Sequence, residues 1–164
     1  MSGLLGLDLG DRRIGVAIAD GPDVGARPLV TLRRGRSIDA DVAALTRLIG
    51  AHQIDELIVG LPIDAAGHDG PQAAATRAWV ALVSARLDPA IPIVLRDERL
   101  TSHVAESRLG PMARGRSGGP PSRQQRDAYR ARIDREAAAI ILQDELDSRR
   151  QTRTQTLPTM EATP

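Results

Sequence analysis

The chain has 164 residues, 41% of them hydrophobic, and a net charge of +1, which suits one domain with a true core. It has no cysteine, which excludes a disulfide framework, a thiolate metal site and a cysteine nucleophile. Trp79 and Tyr129 are its only aromatic residues, which argues against base stacking as the main way of holding nucleic acid.

Residues 4–9 form a short apolar run with Asp8 inside it, and Gly10-Asp11-Arg12 reads as a turn into a second run over 13–20. A third extended segment covers 26–32, and Pro28 places it at or near a sheet edge. Two tight connections in a row predict a three-stranded antiparallel meander. The period then changes. Ile38, Val42, Leu45 and Ile49 mark an amphipathic helix, with Ser37 as its N-cap. A buried strand over 55–62 follows, then a loop at 64–70. Pro71 opens a helix continued by Ala75, Trp79, Leu82 and Val83. A last strand covers 91–99 and a short helix 100–109. Residues 110–123 read as a mobile loop rich in Gly, Pro and Arg, and 127–147 as a helix with Ile133, Ala137, Ile140, Ile141 and Leu146 on its apolar stripe. Residues 148–164 are polar and aperiodic, and are expected to be a disordered tail after a domain covering 1–147. A meander followed by alternating helix and strand predicts an α/β fold with a mixed sheet, antiparallel on one side and parallel on the other, and helices on both faces.

No run approaches the roughly 18 apolar residues of a membrane span, and no signal-peptide pattern opens the chain, so a cytoplasmic protein is expected. All 22 basic residues are Arg. Eight of them fall between Arg108 and Arg135 against two acids, Asp127 and Asp134, a local excess that suits a phosphate-rich partner or a solvated loop. With no Lys, a phosphate loop of the Walker type is excluded, and no dinucleotide fingerprint follows a strand. His52, His68 and His103 are isolated, and His68 reads as a plain loop histidine.

Three acids interrupt apolar patterns: Asp8 in the first strand, Glu98 at the end of the last, and Asp134 at the head of the final helix's stripe. Singly, each has a bland reading as a turn residue, a surface pair or a helix-edge residue. Together they fit a metal site. Three like charges drawn to one sheet end raise one another's pKa, and a divalent cation removes that repulsion. Oxygen donors without Cys or paired His favour Mg²⁺ or Mn²⁺ over zinc. Two such ions can drive attack of water on a phosphodiester. Gly10 would let a phosphate backbone come close to Asp8.

The sequence resembles the YqgF family, also called RuvX: Holliday-junction-resolvase-like proteins and pre-16S ribosomal RNA nucleases of the RNase H-like superfamily. The resemblance is carried by GLDLGDRRIGVAIAD, LIVGLPIDAAGHDGPQA, VLRDERLTSHVAESRL and IDREAAAIILQDEL, in the family's order, over most of residues 4–147. It implies Asp8, Glu98 and Asp134 as catalytic and metal-binding carboxylates, with Asp97 as reserve acid. Gly10, Arg99, Arg114, Arg116, Arg123 and Arg126 are the expected nucleic-acid contacts, and the 110–123 loop is expected to order on substrate. Asp64 stands where the family often has Asn. The implied activity is metal-dependent hydrolysis of phosphodiesters in structured RNA, in 5′-end maturation of precursor 16S ribosomal RNA. The alternatives are cleavage of branched DNA or a non-catalytic RNA-binding ribosome assembly factor. An actin- or Hsp70-type ATP-binding domain is disfavoured, because that fold needs two such domains.

Overall fold

The computed structural model describes residues 2–98, 101–115 and 117–156. Its elements run in the expected order: β1 (Gly3–Leu9), β2 (Arg13–Ala19), β3 (Arg27–Arg33), α1 (Ile38–His52), β4 (Ile54–Pro62), α2 (Pro71–Ser84), β5 (Ile93–Glu98), α3 (Thr101–Leu109) and α4 (Arg123–Thr156). The sheet order is β3-β2-β1-β4-β5. The β1–β2 and β2–β3 pairs are antiparallel, and the β1–β4 and β4–β5 pairs parallel. Pro28 does sit on an edge strand, beside a register shift between Val16 and Ala17.

Strand alternation splits the sheet into two unlike faces. Leu5, Leu7, Ile14, Val16, Ile18, Leu57 and Val59 point to one side, where Leu45 of α1 and Trp79 and Val83 of α2 cover them. On the other side Leu4, Ala17, Ala19 and Ile58 meet Ala138, Ile141, Leu142 and Leu146 of α4. α3 packs on α4 through Ala105, against Ile133, Ala137 and Ile140. The Ser37 hydroxyl caps α1 by accepting from the Ala40 N–H at 3.3 Å. Under α1 the buried Asp41 accepts from the Trp79 indole at 3.1 Å and the Gly35 N–H at 2.8 Å, so its charge has partners.

Two expectations are corrected. The buried stripe of α2 is Ala73, Thr76, Trp79 and Val83, while Ala75 and Leu82 face outward. Residues 148–156, read as tail, continue α4 to Thr156, and the rest of the expected tail, 157–164, lies outside the described residues. This last part of the helix is held by charge rather than by an apolar stripe. Arg149 donates to both carboxylate oxygens of Glu56 on β4, at 2.9 and 2.7 Å, and to Glu145 one turn back at 2.8 Å. Arg150 pairs with Asp147 and Arg153 with Asp23. At its other end α4 begins earlier than its apolar stripe, because Ser122 and Gln125 form a reciprocal capping box. The preceding loop has fixed turns: Gly115 N–H donates to Gly119 O, Gly118 takes a positive φ of 74°, and the Tyr129 hydroxyl donates to Gly110 O at 2.6 Å. Among the described residues no helix is long and apolar enough to cross a membrane.

Candidate active site

The face under α4 is where the acids gather. Leu4, Gly6 and Asp8 share it on β1, and Asp8 pairs across to Gly15 of β2. Leu7 pairs with Val59 of β4, which sets Gly60 next in line on the other side of Asp8. Both glycines serve close approach. A Cβ on Gly15 would collide with the backbone carbonyl of Asp134, and one on Gly60 with the Glu98 carboxylate and with Ile141. The helix therefore lies low enough to bring Asp134 beside Asp8, and the Glu98 side chain lies over β4 toward β1.

The electrostatics agree with this placement. The half-buried Asp8 carboxyl is pushed up to about 7, first by burial and then by the charges of Glu98 and Asp134. Burial also raises the Glu98 carboxyl. A hydrogen bond with the buried Thr101 pulls it down, and the charge of Asp144 pushes it further up. Asp134 has a partner the sequence reading missed: Arg13 of β2 donates to it at 2.6 Å. Among the described residues no three acidic or imidazole side chains converge on one point. The three carboxylates share a sheet end within electrostatic reach, with Asp134 drawn to Arg13 and Glu98 to Thr101.

Strand register sends the two acids at the end of β5 to opposite faces. Val94, Arg96 and Glu98 face α4, where Arg96 meets Glu145 at 3.2 Å. Asp97 is exposed and feels Arg77 of α2, on the opposite face. Of the expected nucleic-acid contacts, Gly10 sits in the β1–β2 turn and donates to Arg13 O at 2.8 Å. Arg114 is exposed in the loop, Arg126 donates to Pro121 O at 2.7 Å, and Arg123 lines a groove beside the acids. Arg99 and Arg116 lie outside the described residues. His68 is exposed and turned toward Asp64 at 3.7 Å in a loop closed by Asp64's own hydrogen bonds to Ala66 and His68.

The family model described as "RuvX: Holliday junction resolvase" matches residues 2–148. The chain belongs to the RuvX family. Within it, a protein of Chloroflexus aggregans named as a candidate pre-16S rRNA nuclease is 40% identical over 147 residues, which cover 90% of this chain and 94% of that one. One of the same name from Synechococcus elongatus is 42% identical over 149 residues, 91% of either chain. Among solved structures, Thermus thermophilus RuvC in complex with a Holliday junction substrate superposes with a TM-score of 0.50 at 16% identity, over 92% of this chain and 97% of that one. At that identity the likeness speaks to the RNase H-like fold of this RuvX chain and not to its substrate.

Proposed function

We propose that this protein is a metal-dependent nuclease that hydrolyses phosphodiester bonds in structured RNA, acting in the cytoplasm in 5′-end maturation of precursor 16S ribosomal RNA. One observation carries the chemistry: Asp8, held half-buried between Gly15 and Gly60, has its carboxyl raised to about 7 by burial and by Glu98 and Asp134. A fold gains no stability from acids placed in this way, whereas a cation would relieve their repulsion once Asp134 and Glu98 turn from Arg13 and Thr101. The choice of RNA is supported by the names of the relatives.

The donor set is made of hard carboxylate oxygens and suits Mg²⁺ or Mn²⁺, as a pair of ions. Asp8, Glu98 and Asp134 would hold them. Bound there, such an ion supplies Lewis acidity to the phosphate and to water. The protein's own part is to hold Asp8 where a proton and a cation would compete for the same carboxylate near pH 7, and to offer the phosphate a cationic neighbour in Arg13. Asp134 would exchange Arg13 for the cation as substrate arrives.

The test is cleavage of a precursor 16S rRNA fragment and of a four-way DNA junction, side by side with Mg²⁺. Asp8→Asn is expected to lose at least about 100-fold in rate on RNA. Undiminished cleavage by the folded variant would overturn the site. Cleavage of the junction in preference to the RNA would favour the branched-DNA reading, which the family's resolvase description supports.

A further inference from the structure

Beside the acids the molecule carries an open groove of about 790 Å³. One wall is the β1–β2 turn and the end of edge strand β3; the other is the first part of α4. Its floor is fixed by the Thr31 hydroxyl, which donates to Ala131 O of α4 at 2.5 Å. Arg12, Arg13, Arg33, Arg34 and Arg123 line it, against Asp11 and Asp127.

The strand register makes this concentration of charge costly. Arg13 pairs directly with Arg33 across β2–β3, and the Arg34 N–H donates to Arg12 O at 2.9 Å. Two Arg pairs thus stand against each other at one hairpin end, where like charges directly opposite destabilise a sheet. Arg13 is neutralised by Asp134, Arg34 by Asp41 at 3.6 Å, and Arg123 faces Asp127 only at 4.0 Å. Arg12 and Arg33 are exposed and form no ion pair among the described residues. A fold has no use for this repulsion, but a polyanion does.

We infer that this groove is the docking track for the sugar-phosphate backbone of a nucleic-acid duplex, held by Arg12 and Arg33 and delivered to the acids by Arg13. Arg13 belongs to both places, since it lines the groove and touches Asp134. With no aromatic residue among the groove's arginines, the grip is on phosphate and not on bases. Binding should therefore be independent of sequence and strongly dependent on salt. This inference rests on the nuclease reading for its purpose but makes a separate claim about where the backbone lies.

The test is binding by fluorescence anisotropy, with the full chain in EDTA so that no cleavage intervenes. The probes are a short RNA duplex, a DNA duplex of the same sequence and the single strand. Arg12→Gln with Arg33→Gln is expected to raise Kd on both duplexes about tenfold or more and to flatten the slope of log Kd against log salt by one to two. Arg47→Gln with Arg86→Gln changes net charge equally on the α1–α2 side, at two exposed positions, and should leave Kd within about twofold. Equal losses from the two pairs, or no loss from the first, would overturn the track. Loss confined to one sugar type would overturn phosphate as the element gripped, and tighter binding of the single strand would overturn the duplex. If the groove pair weakens binding while the wild type cleaves neither RNA nor DNA, the nuclease reading fails and the track stands. If Asp8→Asn abolishes cleavage while the groove pair binds normally, the reverse holds.

Discussion

The two faces of the sheet are built from opposite materials. Toward α1 and α2 the strands present Leu, Ile and Val, and the helices answer with Leu45, Trp79 and Val83. Toward α4 they present Gly6, Asp8, Gly15, Ala17, Ala19 and Gly60, and the helix answers with Ala138, Ile141 and Leu142. The first face buries bulk and supplies stability. The second gives up bulk so that a helix can lie close, and in the space gained it brings carboxylates together. If the proposed site is right, stability and chemistry fall to different sides of one layer, and variants on each side should fail in different ways.

The sharpest contrast lies within one dipeptide. Asp97 and Glu98 are neighbours in sequence but lie on opposite faces. Glu98→Gln is expected to lower the cleavage rate by at least about 100-fold, whereas Asp97→Asn should stay within about twofold. Single-turnover cleavage measures both. Equal losses would mean that face does not decide function.

Next come changes of volume. Leu45→Ala should cost about 2–5 kcal/mol of stability, because it opens a cavity in the bulky face. The remaining folded protein should keep its activity in the cold. Gly15→Ala adds a single carbon but sets it against the Asp134 backbone, so α4 must lift. That strain is expected to cost about 1–3 kcal/mol. It should also lower activity in the fraction that stays folded, because Asp134 moves away from Asp8. Urea unfolding with cleavage measured on the same samples separates the two.

How much of this was legible follows from what is local. The meander, the alternation of helix and strand, and the N-cap at Ser37 were all readable from turn residues and period. The acids were visible because each breaks an apolar run. What the sequence hid depends on register. The glycines that admit α4 and the Asp8–Gly15 pairing appear only once strands are aligned. So does the parting of Glu98 and Asp97 to opposite faces. Arg13 is the clearest miss. Counting charge along the chain pointed to 108–135, while a cationic cluster also forms from Arg12-Arg13 folded against Arg33-Arg34, about twenty residues apart in sequence. The end of α4 was missed because its support is ion pairing with β4 rather than an apolar stripe.

The raised Asp8 carboxyl makes a prediction about pH. In the folded protein without added cation it titrates at about 7, against 3.8 for an ordinary aspartate. The folded state therefore holds that proton more tightly than the unfolded chain. Stability from this group is full below about pH 4, falls as pH rises, and levels off above about 7. Asp8→Asn removes the charge and should be the more stable protein at pH 8, by about 2–4 kcal/mol, with no advantage at pH 4. Adding Mg²⁺ should stabilise the wild type at pH 8 and leave the variant unmoved. Thermal melts across pH, with and without Mg²⁺, measure this; a variant less stable at pH 8 would contradict the burial of charge at Asp8.

The smallest expected effect lies farthest from the acids, on the same face. Arg149 bridges Glu56 of β4 and Glu145 of α4, and its neighbours tie down the part of the helix beyond the apolar stripe. The Arg149 side chain is 34% exposed, so solvent and salt screen its pairs. Arg149→Gln should cost about 1 kcal/mol or less, and that cost should shrink in high salt. Hydrogen exchange is expected to quicken over 148–156 and to stay unchanged at Asp134, because Ile141, Leu142 and Leu146 anchor the helix between the two. If exchange also quickened at Asp134, the close seating of α4 over Gly15 would depend on the charged end of the helix, and the division of labour between the two faces would extend along α4 as well as across the sheet.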